Sequence, residues 1–90
     1  MKKEPKLHIG SGSIIGAGSI IESGRIGKNV RIGAGVVIGK MVQIEDHVVI
    51  GPSCLIQDQV HIAANAKIDG GLVISQGAQI PENKHLKTSV

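Results

Sequence analysis

An aliphatic residue recurs at every sixth position of this chain from Ile26 to Leu86. Eleven consecutive positions of this spacing are filled without a gap. Upstream, the same phase holds for Ile9, Ile15 and Ile21, and one residue is then missing before Ile26. A fixed short period indicates stacked units that bury one another's apolar faces. The chain is therefore predicted to be a solenoid, with a tightened corner between Ile21 and Ile26.

The fifth position of each six-residue unit is also small or aliphatic. These positions hold Val30, Val36, Val42, Val48, Cys54, Val60, Ala66, Leu72 and Ala78. Two inward positions separated by one outward position are typical of a β-strand. Residues such as Gly27 to Asn29 and Gly33 to Gly35 lie between the strands and suit a strained corner. Each unit is thus predicted to be one short strand followed by one turn.

These aliphatic columns must supply the whole core, because the chain has no Phe, Trp or Tyr. A chain of 90 residues allows one domain, and it buries little apolar surface unless it stacks or associates. We divide it into an N-terminal basic tail and cap over residues 1–8, a repeat body over 9–83 and a C-terminal tail over 84–90.

The net charge of +3 comes from the ends of the chain. Between Leu7 and Asn83 there are five basic and six acidic residues, so the body has a net charge of −1. Nucleic-acid binding requires a basic face, usually with aromatic residues where single strands are bound, and the body has neither. Cys54 is the only cysteine, and the chain shows neither a signal-peptide pattern nor an apolar run of ~18 residues. We therefore expect a cytoplasmic protein with no nucleic-acid or membrane partner.

The repeat resembles the pattern of the hexapeptide-repeat acyltransferase family, [LIV]-[GAED]-x-x-[STAV]-x, from Ile9 to about Ile80. The resemblance implies an all-β fold, a left-handed parallel β-helix of about four to five triangular coils with three units per coil. The handedness rests on the resemblance alone, since crossovers between parallel strands are normally right-handed. Members of the family usually pack side by side as trimers, so a homotrimer is expected.

Eighteen residues per coil place the outward sixth positions in three columns. The columns read Val37, Leu55 and Val73, with Ile20 beneath; Gln43, His61 and Gln79; and Arg31, Val49, Lys67 and His85. A wholly apolar column beside two polar or mixed ones indicates a surface that avoids water. The column Ile20, Val37, Leu55 and Val73 is therefore predicted to form the interface of the oligomer.

Enzymes of this family use a histidine at the cleft between subunits as the general base that activates an acceptor toward an acyl thioester. His47 is the first choice of base, because Ile44 to Gly51 reads I-E-D-H-V-V-I-G, similar to I-E-H-D-C-V-I-G of the sugar N-acetyltransferases. Asp46 stands where that branch has its base, and His47 follows it. An alternative interpretation is that His47 fills a corner position, since its column otherwise holds Asn29, Asn65 and Asn83.

His61 is the second candidate, because H-I-A-A resembles the H-I-A-H segment of the UDP-sugar acyltransferases, with Ala64 in place of the base.

The sequence favours a structural or assembly module that needs no cofactor, because Asp46 and Ala64 stand at the two base positions and the repeats continue without an inserted loop. The pointed-end subunits of dynactin are family members of that kind. The alternative is a minimal acyltransferase that uses acetyl-CoA or another acyl-CoA and acts on an amine or a hydroxyl group. No metal site is predicted, since the close pair of histidines found in γ-class carbonic anhydrases is missing.

Overall fold

The computed structural model describes residues 7–90, whose regular elements are fourteen short strands, β1 to β14 in chain order. The predicted N-terminal tail lies outside the described residues except for Leu7 and His8. Every third strand returns to the same sheet, and all pairs are parallel. The fold is a left-handed parallel β-helix, as predicted.

Three parallel sheets form the sides of the prism. Sheet A contains β1 (Leu7–Ile9), β4 (Gly24–Ile26), β7 (Val42–Ile44), β10 (His61–Ile62) and β13 (Gln79–Ile80). Sheet B contains β2 (Ile14–Ile15), β5 (Arg31–Ile32), β8 (Val49–Ile50), β11 (Lys67–Ile68) and β14 (His85–Leu86). Sheet C contains β3 (Ile20–Ile21), β6 (Val37–Ile38), β9 (Leu55–Ile56) and β12 (Val73–Ile74). With a spacing of ~4.8 Å between neighbouring strands, the stack is about 20 Å tall.

The register between coils shows where the missing residue of the repeat is absorbed. Arg31 pairs with Val49, eighteen residues ahead, whereas Ile14 pairs with Arg31, seventeen residues ahead. The short corner lies at Ser23, which is buried and accepts a hydrogen bond from the N–H of Met41 on Oγ at 3.0 Å. The predicted tightened corner is present where the spacing placed it.

The residue after this corner has to be a glycine. Gly24 has a φ of 130°, and a Cβ built on it would lie 2.1 Å from the carbonyl oxygen of Val42. A side chain would therefore collide with the backbone of the next coil as well as strain its own. The chain turns tightly here because nothing projects from Gly24.

The aliphatic columns form the core. The buried hydrophobic side chains are Ile26, Val30, Ile32, Val36, Ile38, Val42, Ile44, Val48, Ile50, Cys54, Ile56, Val60, Ile62, Ala66, Ile68, Ile74, Ile80 and Leu86. Each fully buried isoleucine contributes about 1.5–3 kcal/mol relative to an exposed one. The stack needs no aromatic residue, because every coil lays a ring of aliphatic side chains on the ring of the coil before it.

The segment predicted to be a C-terminal tail contributes to the stack. Leu86 lies in β14, and beyond it the N–H of Val90 donates to the carbonyl of Val73 at 3.1 Å. Val90 in turn accepts from the N–H of Ser75 at 2.9 Å. At the other end, β1 begins at Leu7. Strands or strand-like pairing thus occur on both sides of the predicted body, residues 9–83.

The corners use residues in the left-handed conformation. Between sheets A and B, Asn29, His47, Asn65 and Asn83 have φ values of 57°, 62°, 62° and 63°. Asparagine adopts this region several-fold more readily than most residues. The N–H of His47 donates to the carbonyl of Lys28 at 3.0 Å, and the asparagines of the column bond to the preceding coil in the same way. The backbone of His47 therefore has the same corner role as the asparagines.

The core assignment predicts that Ile50→Asp unfolds the protein. The side chain of Ile50 is 1% exposed among other aliphatic residues, and an unpaired carboxylate there costs several kcal/mol, comparable to the whole stability of a small domain. Circular dichroism during thermal melting measures the effect. Val49→Asp, on the same strand but pointing outward, is the control and should retain the strand signal. A folded Ile50→Asp with the melting temperature of the unmodified protein would contradict the inward assignment.

The corner assignment predicts opposite effects of two changes at His47. His47→Asn should preserve the melting temperature or raise it, since asparagine suits the left-handed conformation. His47→Val should lower stability by about 1–2 kcal/mol, because a β-branched residue is disfavoured there. Urea unfolding curves compare the two variants. If both variants unfold at the same urea concentration, the backbone conformation of His47 is not what determines the choice of residue.

Candidate functional site

The structure separates the two candidate histidines. His47 lies on the corner between sheets A and B with an exposed side chain, and His61 is the first residue of β10 in sheet A. No hydrogen bond joins them among residues 7–90. The two therefore do not form a joint site within one chain, and each has to be judged by its own surroundings.

His61 has a carboxylate partner that the sequence patterns did not indicate. Its Nε2 lies 2.5 Å from Oε2 of Glu45, which follows β7 one coil earlier. The two side chains are 39% and 49% exposed. A carboxylate on one ring nitrogen holds an imidazole in one orientation, as the positioning of a general base requires. His61 is thus the better placed of the two candidate histidines.

A second pair repeats this geometry on sheet B. Nε2 of His85 in β14 lies 2.7 Å from Oδ1 of Asp69, which follows β11. Each pair links residues sixteen positions apart, because the carboxylate follows a core isoleucine and the histidine precedes the core residue one coil later. The same pairing on two faces shows that it also serves to join neighbouring coils. Such exposed pairs are worth about 0–1 kcal/mol each.

The carboxylate of Asp46 is engaged in a hydrogen bond within the corner. Its Oδ1 accepts the backbone N–H of Lys28 at 2.9 Å, and Asp58 accepts the N–H of Lys40 at the same distance on another corner. Each carboxylate lies over a glycine of the preceding coil, where an added Cβ would come within 2.3 Å or less of it, at Gly27 and Gly39. At the position where the sugar N-acetyltransferases have their base, this chain has a residue that stacks one corner on another.

The outer face of sheet C is an exposed apolar ladder. Ile20, Val37, Leu55 and Val73 are 59%, 37%, 38% and 39% exposed, and they lie in strict register on four neighbouring strands. The corresponding column of sheet A is polar, with Arg25, Gln43, His61 and Gln79 in register. Among the described strands, those of sheet C have apolar residues on both faces, whereas those of sheets A and B carry polar residues on the outer face.

An open groove of about 300 Å³ runs along the edge of this ladder. Its lining includes the apolar residues Val37, Leu55 and Ile56 and the acidic residues Glu22 and Asp58. One of the lining residues, Glu22, directly follows β3. Any neighbour that covered the ladder would also border this groove.

The described residues offer neither a metal site nor a membrane-spanning helix. Within residues 7–90, no group of three or more His, Cys, Asp or Glu side chains could hold a metal ion. The same part of the chain contains no helix long and apolar enough to cross a membrane. Cys54 is buried, and its thiol donates to the carbonyl of Asp69 at 3.1 Å, consistent with the role of a small core residue.

Sequence reasoning missed Glu45 and Asp69 as partners of the histidines. The signal was available in the spacing. With eighteen residues per coil, the residue after one core isoleucine lies beside the residue before the next core position, sixteen residues ahead. A search for an acid followed after sixteen residues by a histidine finds both pairs.

Solved structures similar to this chain include two transferase-family proteins. A serine acetyltransferase from Neisseria gonorrhoeae, in complex with serine, matches with a TM-score of 0.75 and 27% identity over 84% of this chain. A hexapeptide transferase family protein from Anaplasma phagocytophilum matches with a TM-score of 0.55 and 18% identity over 92% of this chain. The chain spans 35% of the first structure and 60% of the second.

Sequence comparison with protein families gives the same result as the geometry. No curated protein sequence matches the chain. The family model described as the hexapeptide repeat of succinyl-transferase matches it twice, over residues 6–40 and 41–76. These matches cover most of the coils that the structure shows, and we conclude that the chain belongs to the hexapeptide-repeat family.

Proposed function

We propose that this chain is a homo-oligomeric assembly module, in which three copies pack side by side through the outer face of sheet C. The observation that carries this proposal is the ladder of Ile20, Val37, Leu55 and Val73, four exposed aliphatic residues in register on one flat face. Covering such a surface stabilises an assembly by about 25 cal/mol for each Å² of apolar area removed from water.

The occupant of the ladder is a second copy of the same chain. The ladder carries no charge, so two copies meet there without repulsion and without burying an unpaired ion. Closed symmetry is the rule for soluble homo-oligomers, and side-by-side trimers are what membership of the family implies. A small core without aromatic residues also benefits, because association adds buried apolar area that 90 residues alone do not provide.

The arrangement of the histidines supports a module rather than an enzyme. Asp46 is engaged by the backbone of Lys28, and His47 is an exposed corner residue in the conformation of its neighbouring asparagines. Ala64 offers no side chain for proton transfer. In this proposal the protein requires no cofactor, its partner is itself, and it acts in the cytoplasm.

A minimal CoA-dependent acyltransferase is the second candidate, because His61 and Glu45 form an oriented pair and a structural neighbour is a serine acetyltransferase. Here His61 would be the base that takes a proton from an amine or hydroxyl acceptor as it attacks the thioester of acetyl-CoA. His47 ranks behind it, since no carboxylate orients its ring among the described residues.

The assembly proposal predicts that Leu55→Lys weakens the oligomer. Leu55 is central in the ladder and 38% exposed in a single chain, so a lysine there buries a charge in the interface or separates the copies. Gln43→Lys, on the outer face of sheet A, is the matched control and should leave the oligomer intact. Sedimentation velocity of both variants over a range of concentrations measures the association. Equal association of the two variants would show that the interface does not lie on sheet C.

The choice between module and enzyme predicts that acetyl-CoA does not bind. Calorimetric titration should show no saturable heat, and a panel of amine and hydroxyl acceptors should show no turnover above background. Turnover would contradict the module proposal, and the histidine variants would then show which residue acts as the base. In that case His61→Ala should lower the rate by a factor of ~100 to 10,000, as for loss of a general base. His85→Ala, which removes the equivalent pair with Asp69, and His47→Ala are its controls.

A further inference from the structure

Sheet C is bounded by two corners of the prism that differ in shape and charge. The chain passes from sheet B to sheet C at the B/C corner, which comprises residues 16–19, 33–36, 51–54 and 69–72. It passes from sheet C to sheet A at the C/A corner, which comprises residues 22–23, 39–41, 57–60 and 75–78. When three prisms turn sheet C toward a three-fold axis, unlike corners meet, because such an axis joins two different patches of neighbouring copies. The B/C corner of one copy therefore lies against the C/A corner of the next in the trimer proposed above.

The B/C corner carries an exposed proline ring between two glycines. Pro52 is exposed, and Gly33 and Gly70 lie on either side of it in the neighbouring coils. A Cβ built on Gly33 would lie 2.8 Å from Cα of Pro52, and one built on Gly70 would lie 3.1 Å from its Cδ. Because neither neighbour has a side chain, the ring of Pro52 projects from the corner. Proline also has no rotamer freedom to lose when it packs, so this ring is a rigid apolar contact.

The C/A corner carries the groove of about 300 Å³ that borders the ladder. Four consecutive lining residues, Leu55 to Asp58, follow Pro52 by three to six positions on the same coil. A coil of eighteen residues rises by one strand spacing of ~4.8 Å, so Pro52 lies within about 2 Å of these residues in height. Rotation about an axis parallel to the prism leaves heights unchanged. Pro52 of one copy therefore reaches the next copy at the level of its groove.

The charges near the two corners are complementary. Glu22 and Asp58 line the groove at the C/A corner. On the sheet B side of the B/C corner, Arg31 and Lys67 are the first residues of β5 and β11. Each cation follows one of the acids by nine residues, about half a coil, so the members of each pair differ in height by about 2.5 Å. Within residues 7–90 none of these four side chains forms an ion pair.

The other charges near the two corners do not oppose this match. Asp69, on the B/C corner, is held by Nε2 of His85 in its own chain at 2.7 Å. Lys40, on the C/A corner, is followed after nine residues by the uncharged Val49, so it meets no cation at its level. A second copy of the chain therefore supplies an apolar ring at the level of the groove and a cation for each of its two acids.

We infer that Pro52 of each copy inserts into the groove of the next copy, where Lys67 lies against Asp58 and Arg31 against Glu22. This contact rests on the proposed trimer through sheet C and specifies which corners of neighbouring copies meet. The ring of Pro52 covers apolar groove residues such as Leu55, and the ion pairs fix the relative height of the copies. Three equal contacts close the ring, and the last one forms at high effective concentration because its partners are already held together.

Disulfide cross-linking of the full chain tests the contact. A disulfide forms only when the two Cβ atoms come within about 3.5–4.5 Å of each other. The double variant Pro52→Cys with Gln57→Cys, oxidised with diamide, should give covalently linked trimers on non-reducing gels. The two single variants produced together should give linked dimers, and each single variant alone should give single chains. The unmodified protein is the matched control, because its one cysteine, Cys54, is buried and should not cross-link.

Exchange of charges is a second, independent measurement. Lys67→Glu replaces attraction by repulsion at three contacts, so it should raise the concentration needed for half-maximal association at least about fivefold, as expected for about 1 kcal/mol per contact. Adding Asp58→Lys to Lys67→Glu should restore association. Lys28→Glu, on the corner between sheets A and B, is the matched control and should associate like the unmodified protein. Sedimentation velocity measures association, and circular dichroism checks that each variant folds.

The outcomes separate this contact from the trimer on which it rests. A trimer that Leu55→Lys disrupts, but in which the double cysteine variant stays unlinked, would overturn the insertion of Pro52 and leave the proposed trimer standing. Linked dimers from one single variant alone would show that like corners meet and would also overturn it. A single-chain mass for the unmodified protein would overturn both proposals. If the cysteine variants do not fold, the charge exchange decides, and failure of Asp58→Lys to restore association would overturn the contact.

Discussion

The eighteen-residue register between coils is the constraint on which the rest of this structure depends. It brings one isoleucine over the next, as in Ile38, Ile56 and Ile74, so that a ring of aliphatic side chains is covered by the ring before it and the ring after it. It also aligns the corners, where backbone N–H groups such as that of His47 reach the carbonyl of the preceding coil. A change of one residue in a regular coil would turn core positions outward. The chain tolerates its one shortened corner because Ser23 supplies a hydrogen bond from the interior and Gly24 has no side chain.

The same register that builds the core also arranges the outer surface. Residues eighteen apart form columns, so the chemistry of a whole face follows from one position in the repeat. Sheet C presents aliphatic residues, and sheet A presents polar ones, including His61 held by Glu45. Within residues 7–90 the strands follow one another through short corners, so the surfaces that this part of the chain presents are the faces, edges and ends of the prism. This is why association of copies, rather than a pocket within one chain, is central to the function we propose.

The sequence predicted the coil fold, the inward columns, the tightened corner and the residues of the apolar ladder, because all of them depend on period alone. Two features depended on contacts between coils and were harder to predict. The pairs of Glu45 with His61 and of Asp69 with His85 join residues sixteen apart, a spacing that has meaning only once the coil length is known. The hydrogen bond from the N–H of Ser75 to the carbonyl of Val90 was also not predicted. These residues are fifteen positions apart, which does not match the eighteen-residue period of the coils. The handedness of the coil came from family resemblance, since the general rule for parallel crossovers predicts the opposite hand.

The central claim is that the outer face of sheet C is covered by another copy of the chain in solution. Methyl NMR with a soluble paramagnetic agent tests it within one sample, because Val37, Leu55 and Val73 are 37%, 38% and 39% exposed in a single chain and Val49 on sheet B is also 37% exposed. If copies associate through sheet C, the agent should broaden the methyl signals of Val49 while those of Leu55 and Val73 stay protected. Equal broadening at all four residues would show that the ladder faces water, and it would contradict the account.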